Sequence, residues 1–149
     1  MGPVVTQINQ LSRYVFQTNS PYVVGLSGPG FAAMGMAVAN LVWPGQKMLS
    51  IKNGYFSSRF EEMASRVGGE TTVLEAPENH YMDADTVEAA LKKQAYDVLT
   101  IVQGETSNTV FNCQLPEISA LAKKYNVLCI VDAVCTLSTM PLNMDAWDI

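Results

Sequence analysis

Short apolar runs alternate with longer amphipathic stretches along this chain, and that alternation restricts its fold more than any other feature. The apolar runs are YVVGLS (22–27), KMLSIKN (47–53), ETTVLEAP (70–77), YDVLTIVQ (96–103) and VLCIVDAV (127–134). Their length and branched residues predict strands. They are continuous rather than alternating, so both faces of each strand are expected to be covered. The intervening stretches predict helices over 4–18, 30–42, 57–69, 83–94 and 115–126. Val4, Ile8, Leu11 and Val15 recur at helical spacing in the first. Ser57 or Ser58 is the expected cap of the third, and Gly68-Gly69 its end. Lys92 and Lys93 close the fourth, where the helix dipole favours cations. The tail PLNMDAWDI (141–149) shows no clear element. Strand–helix alternation of this kind predicts an α/β fold, a three-layer αβα arrangement with a mostly parallel, doubly wound sheet.

In such sheets ligands sit beyond the carboxyl ends of the strands. That rule selects SGPGFAAMG, NGYF, GETSNT and DAVCTL, which fall on one rim. Gly28-x-Gly30-x-x-Ala33 satisfies the permissive dinucleotide pattern, between a predicted strand and helix. A Rossmann site also needs an acid about 20 residues on, at the end of the next strand. Here that place reads Lys52-Asn53-Gly54-Tyr55-Phe56, with no acid before Glu61. A phosphate at the helix N-terminus fits the glycines better than a nicotinamide dinucleotide does. A glycine turn that only lets strand and helix pack is the alternative.

Asp132 ends a run of apolar residues, where a carboxylate is costly without a partner. It can cap the following turn, or it can meet a ligand group that carries a proton. Charged residues are 15% of the 149 and the net charge is −5, so a nucleic-acid or anionic-membrane partner is not expected. No apolar run approaches the roughly 18 residues of a membrane span. Three cysteines without a CxxC predict reduced thiols in a cytoplasmic setting, with no metal site. The single histidine, His80, predicts a solvated loop residue and no histidine-based triad.

Taken in order, YVFQT, SGPGFAAM…ANLVWPGQKML, NGYFSSRFEEMASRVG, GETSNTVFNCQLPEISALAKKYNVLCIVDAVCTL and PLNMDAW resemble the class V aminotransferases of pyridoxal-phosphate (PLP) fold type I. The likeness is to the alanine–glyoxylate and serine–pyruvate group, with its ureidoglycine–glyoxylate relatives. The resemblance implies PLP as cofactor, small amino acid and 2-oxo acid substrates, and a homodimer. It places Pro29, Gly30 and Phe31 at the cofactor phosphate and Phe56 on one face of the pyridine ring. Thr106 falls beside the ring's 3-oxygen, Asp132 at the ring nitrogen, and Val134 on the face opposite Phe56. Phe31 replaces the family's usual histidine, and Thr109 stands where many members have glycine.

The same resemblance implies that the Schiff-base lysine, in a GxQK-like motif, lies beyond Ile149, together with a small C-terminal domain. The expectation is therefore a partial PLP-binding large domain over residues 1–149 with no catalytic residue of its own, inactive alone. The competing expectations are a non-catalytic fragment that self-associates and, less favoured, a NAD-type module.

Overall fold

The computed structural model describes residues 2–149. Its elements, in chain order, are α1 (Gly2–Phe16), α2 (Gly30–Leu41), β1 (Lys47–Lys52), α3 (Tyr55–Arg66), β2 (Glu70–Glu75) and α4 (Ala84–Lys93). There follow β3 (Val98–Val102), β4 (Gly104–Glu105), β5 (Val110–Phe111), α5 (Leu115–Lys124), β6 (Leu128–Asp132) and α6 (Met144–Trp147).

Four strands form one parallel sheet in the order β2-β1-β3-β6. Leu49, Ile51, Leu99, Ile101 and Cys129 point to one face, where α4 and α5 add Val87, Leu91, Leu115, Ile118 and Ala122. Met48, Val98, Val102 and Ile130 point to the other, under Met34 and Val38 of α2 and Phe60 and Ala64 of α3. Two apolar faces explain why the strand sequences read as unbroken runs. A fully buried Leu or Ile here contributes about 2 kcal/mol through removal from water. One polar pair interrupts the second face: Thr100 Oγ1 donates to Ser50 Oγ at 3.2 Å, both side chains buried.

The strand order places a topological switch between β1 and β3, because β2 lies on one side of β1 and β3 on the other. The turns after β1, β3 and β6 therefore meet at one rim, as the sequence predicts.

The structure corrects four expectations. Residues 22–27 form no strand; Tyr22 and Val24 are exposed, and no described strand lies beside them to accept a ladder. Helix α3 begins at Tyr55, and neither Ser57 nor Ser58 is its cap. The loop after β3 folds back as the small antiparallel pair β4–β5. The tail contains α6, with Leu142 buried and Met144, Trp147 and Ile149 packed against the α4–α5 face. Asp145 latches it to the end of α1, accepting from Thr18 Oγ1 at 2.6 Å and the Asn19 N–H at 2.8 Å. The apolar stripe predicted on α1 is real but uncovered: Val4, Ile8 and Leu11 are exposed.

Thr109 holds φ at +61°, in the left-handed region that β-branched residues rarely enter. That conformation costs roughly 1–2 kcal/mol. Thr109→Gly is expected to raise the thermal midpoint by a few degrees, net of glycine's greater unfolded-state entropy. Differential scanning calorimetry checks it; an unchanged or lower midpoint contradicts the strain argument.

Candidate active site at the carboxyl rim

Asp132 is the last residue of β6, held in line by the Gln103 N–H donating to its carbonyl at 2.8 Å. Its Oδ1 accepts the Val134 N–H at 2.8 Å, so the carboxylate does cap its own turn. No lysine, arginine or histidine among the described residues forms an ion pair with it. Burial pushes its pKa up; the Val134 N–H opposes this, and the nearby Glu105 charge adds to the rise. A half-buried carboxylate with one hydrogen bond and no cation is a site short of positive charge.

The remaining residues assigned by resemblance lie on the same rim, in the turns after β1, β3 and β6 and at the start of α2. Pro29 is the N-cap of α2 and supplies no side-chain hydrogen bond to the helix. Gly30 opens α2, and a Cβ there would meet Val134 Cγ2 at 3.6 Å, so the two lie side by side. Phe31 stacks obliquely on Phe56, with centroids 5.8 Å apart. The Arg59 guanidinium lies 5.6 Å from the Phe31 ring centroid and 5.9 Å from that of Tyr55. Arg59 also pairs with Glu62. Thr106 is exposed on the loop between β4 and β5. Cys135 Sγ donates to the Gly104 carbonyl at 2.9 Å, tying that loop to the Asp132 turn. Gly30, Asp132 and Val134 also line an apolar cavity of about 270 Å³, shared with Ala33, Met34 and Leu142. Pro29, Phe31, Phe56 and Thr106 lie outside that lining.

Glu105 is the largest omission from the sequence reading. It is 1% exposed and occupies the switch point between β1 and β3. Its Oε1 accepts from the Phe56 N–H at 3.2 Å, the Ser107 N–H at 3.3 Å and Ser107 Oγ at 2.6 Å. Its Oε2 accepts from the Ser57 N–H at 2.8 Å. Burial alone would push its pKa up, but these donors outweigh burial and hold it below the ordinary value. Every contacted group donates, which fixes Glu105 as a carboxylate. Ser57, at the third helical position, accepts the N–H groups of Asn53 and Gly54 at 3.0 and 2.9 Å, which completes the cap from inside.

A carboxylate with a lowered folded-state pKa adds stability above its unfolded pKa and loses it as pH falls through the folded value. Glu105→Gln is therefore expected to flatten the acid limb of a plot of thermal midpoint against pH below 4.5, the ordinary carboxyl value. A parallel acid limb in wild type and variant contradicts an ionised Glu105.

Gln103 and Asn112 are two further buried amides at the ends of the strands. Gln103 is 1% exposed; it accepts from Thr136 Oγ1 at 2.6 Å and donates to the Pro141 carbonyl at 2.8 Å. Asn112 Nδ2 donates to the Val102 carbonyl at 2.6 Å, and its Oδ1 accepts the Met82 N–H at 2.9 Å. Both hold the rim turns in place. A buried amide in a loop signals this only once its partners are known.

Comparison with known proteins agrees with the fold. The chain is 34% identical to mouse (Mus musculus) alanine–glyoxylate aminotransferase over 146 residues, covering 97% of this chain and 35% of that one. It superposes on the alanine–glyoxylate aminotransferase of Nostoc sp. with a TM-score of 0.90 and 32% identity, covering 97% of this chain and 38% of that one. For the ureidoglycine–glyoxylate aminotransferase of Bacillus subtilis the TM-score is 0.94 at 25% identity, covering 99% and 38%. The chain thus spans little more than a third of the length of these relatives. The family described as "Aminotransferase class-V" matches residues 3–149, and the chain belongs to that family.

Proposed function

We propose that this chain forms the PLP-binding face of an aminotransferase that moves an amino group from a small amino acid to glyoxylate or a similar 2-oxo acid. The observation that carries this reading is the Asp132 carboxylate, half-buried at the rim with a single N–H partner and no cation. A protonated pyridine nitrogen is the partner it lacks. The charged hydrogen bond would offset the burial of Asp132 and keep the ring nitrogen protonated. When bound, PLP supplies an electron sink for charge at the amino acid's α-carbon.

The chain's own residues fit the rest of that group. The Gly30 and Phe31 N–H groups at the start of α2 suit a phosphate, the Ala32 N–H being taken by the Pro29 carbonyl: the helix has 12 residues, no side-chain cap, and no acid in its first turn. Phe56 and Val134 offer apolar surface for the two ring faces, and Thr106 a hydroxyl at the ring edge. Phe31 packs on Phe56 in place of a polar group, so phosphate binding here rests on backbone N–H groups and the helix dipole.

All three relatives carry glyoxylate in their names, whereas two name alanine and the third ureidoglycine as the other substrate. That supports glyoxylate as acceptor and leaves the donor to be found by assay. None of the six lysines lines the cavity beside Asp132. Lys52 pairs with Glu75, Lys92 and Lys124 with Glu88, and Lys123 with Asp148. This supports the reading that the amine carrying the cofactor comes from residues other than these six lysines. The exposed Val4, Ile8 and Leu11 stripe on α1 suits a second copy of the chain, in keeping with a homodimer.

The test combines PLP, alanine or another small amino acid, and glyoxylate with this chain. Saturable PLP binding without turnover above a no-protein control is expected. No binding overturns the cofactor reading, and turnover overturns the assignment of the amine to other residues.

A further inference from the structure

We propose that Glu105 is a positioning residue that closes the N-terminus of α3 to outside anions and locks Phe56 and the Thr106 loop into one unit around the cofactor ring. The inference rests on the reading that this rim binds PLP.

Two helices, α2 and α3, present their N-termini to the same rim, each 12 residues long. A phosphate could in principle approach either positive end. The structure treats them differently. At α3 the first N–H groups are taken by the chain itself: those of Phe56 and Ser57 by Glu105, and that of Tyr55 by Ser107 Oγ at 3.0 Å. At α2 no side chain does this. A negative charge already sits at the start of α3, so an anionic group is repelled there and directed to α2. That selects one orientation for a ligand with a phosphate at one end and a cationic ring nitrogen at the other. The phosphate faces Gly30 and the nitrogen faces Asp132.

The same bonds couple parts distant in sequence. Glu105 holds the Phe56 N–H from 49 residues away. Asn108 Nδ2 donates to the Asn53 carbonyl at 2.6 Å, closing a second link between the two loops. Gly54 has no Cβ because the carboxylate passes there: a Cβ would lie 2.3 Å from Glu105 Cγ and 2.6 Å from Ser107 Oγ. Phe56 and Thr106 thus cannot shift independently. The Glu105 charge also disfavours charge on Asp132, and a cationic ring beside Asp132 would relieve that.

The experiment titrates wild type, Glu105→Gln and Ser107→Ala with PLP. It follows affinity, the circular dichroism induced in the bound cofactor at saturation, and the thermal midpoint of the unliganded chain. Glu105→Gln is expected to weaken binding about tenfold or more and to change the induced signal at saturation. Ser107→Ala removes one donor and leaves the carboxylate, so a smaller loss of affinity in the same direction is expected. A lower midpoint with unchanged affinity and unchanged induced signal would mean a purely structural role and would overturn the inference. If Glu105→Gln does not fold, Ser107→Ala decides on the same criteria. Absence of PLP binding by wild type fails the cofactor reading itself. Binding by wild type with indistinguishable variants fails only the inference about Glu105.

Discussion

Asp132→Asn is expected to lower PLP affinity by at least about 30-fold, the lower end of the 2–5 kcal/mol cost of breaking a buried, hydrogen-bonded charge pair. The substitution leaves the fold intact. Asn keeps an oxygen for the Val134 N–H, and the side chain it replaces is no asset to the unliganded chain. Burial and the Glu105 charge raise the Asp132 pKa, against the opposing Val134 N–H. A carboxyl with a raised folded-state pKa gives its full stability below the unfolded pKa and loses it as pH rises through the folded value. At neutral pH the ionised side chain therefore costs stability, and Asp132→Asn is expected to leave the thermal midpoint unchanged or higher. A purely structural Asp132 would give the reverse pattern, with a lower midpoint and unchanged affinity. Absorbance titration and calorimetry on the same samples separate the two.

Gly54→Ala is expected to be the most damaging single methyl in the chain. The added Cβ would lie 2.3 and 2.5 Å from Glu105 Cγ and Cδ. A flexible surface side chain would simply move aside. Glu105 does not, because both its oxygens are held by donors in a fully buried setting. Overpacking costs about 1–3 kcal/mol, and disturbing hydrogen bonds to a charged group adds roughly 1.5–3 kcal/mol. At about 2–4 °C per kcal/mol for a chain of this size, the midpoint is expected to fall by on the order of 10 °C. Gly54 sits at φ 175°, extended backbone open to any residue, so the cost is steric. A fall of only a degree or two would show that Glu105 is not rigidly held. Gly45→Ala is a useful contrast: it strains a positive φ of 81° but meets no atom within 4 Å.

The parallel sheet was legible in the sequence because Met48–Ile51, Val98–Val102 and Cys129–Val131 are apolar on both faces, a pattern set by two covering helix layers. The rim was legible because turn residues follow each of those strands. Residues 22–27 read as a strand because periodicity measures apolarity and not pairing; without a neighbouring strand the same residues remain irregular and exposed. The α1 stripe shows the same limit, since its spacing reports a face and not what covers it.

Asp132 stood out by contrast, one charge ending an apolar run. Glu105 did not, because GETSNT reads as an ordinary polar loop. Its burial depends on a cap 48 residues away in sequence, at the N-terminus of α3. The Ser57 expectation failed for a related reason. The helix starts two residues earlier, because Glu105 satisfies the N–H groups that a local serine would otherwise have to meet. Motif likeness supplied the roles of Phe56, Thr106 and Val134, and geometry then showed them sharing one rim.

Hydrogen–deuterium exchange with and without PLP tests cofactor binding at this rim, because it locates the ligand as well as detecting it. Added protection is expected at the start of α2 (residues 30–34), at the Val134 turn (132–136) and at the Phe56 and Thr106 loops, with α4 and α5 unchanged. Protection absent throughout, or confined to the loops at the amino ends of the strands near Gln46, Asp97 and Asn126, would contradict PLP binding at this rim.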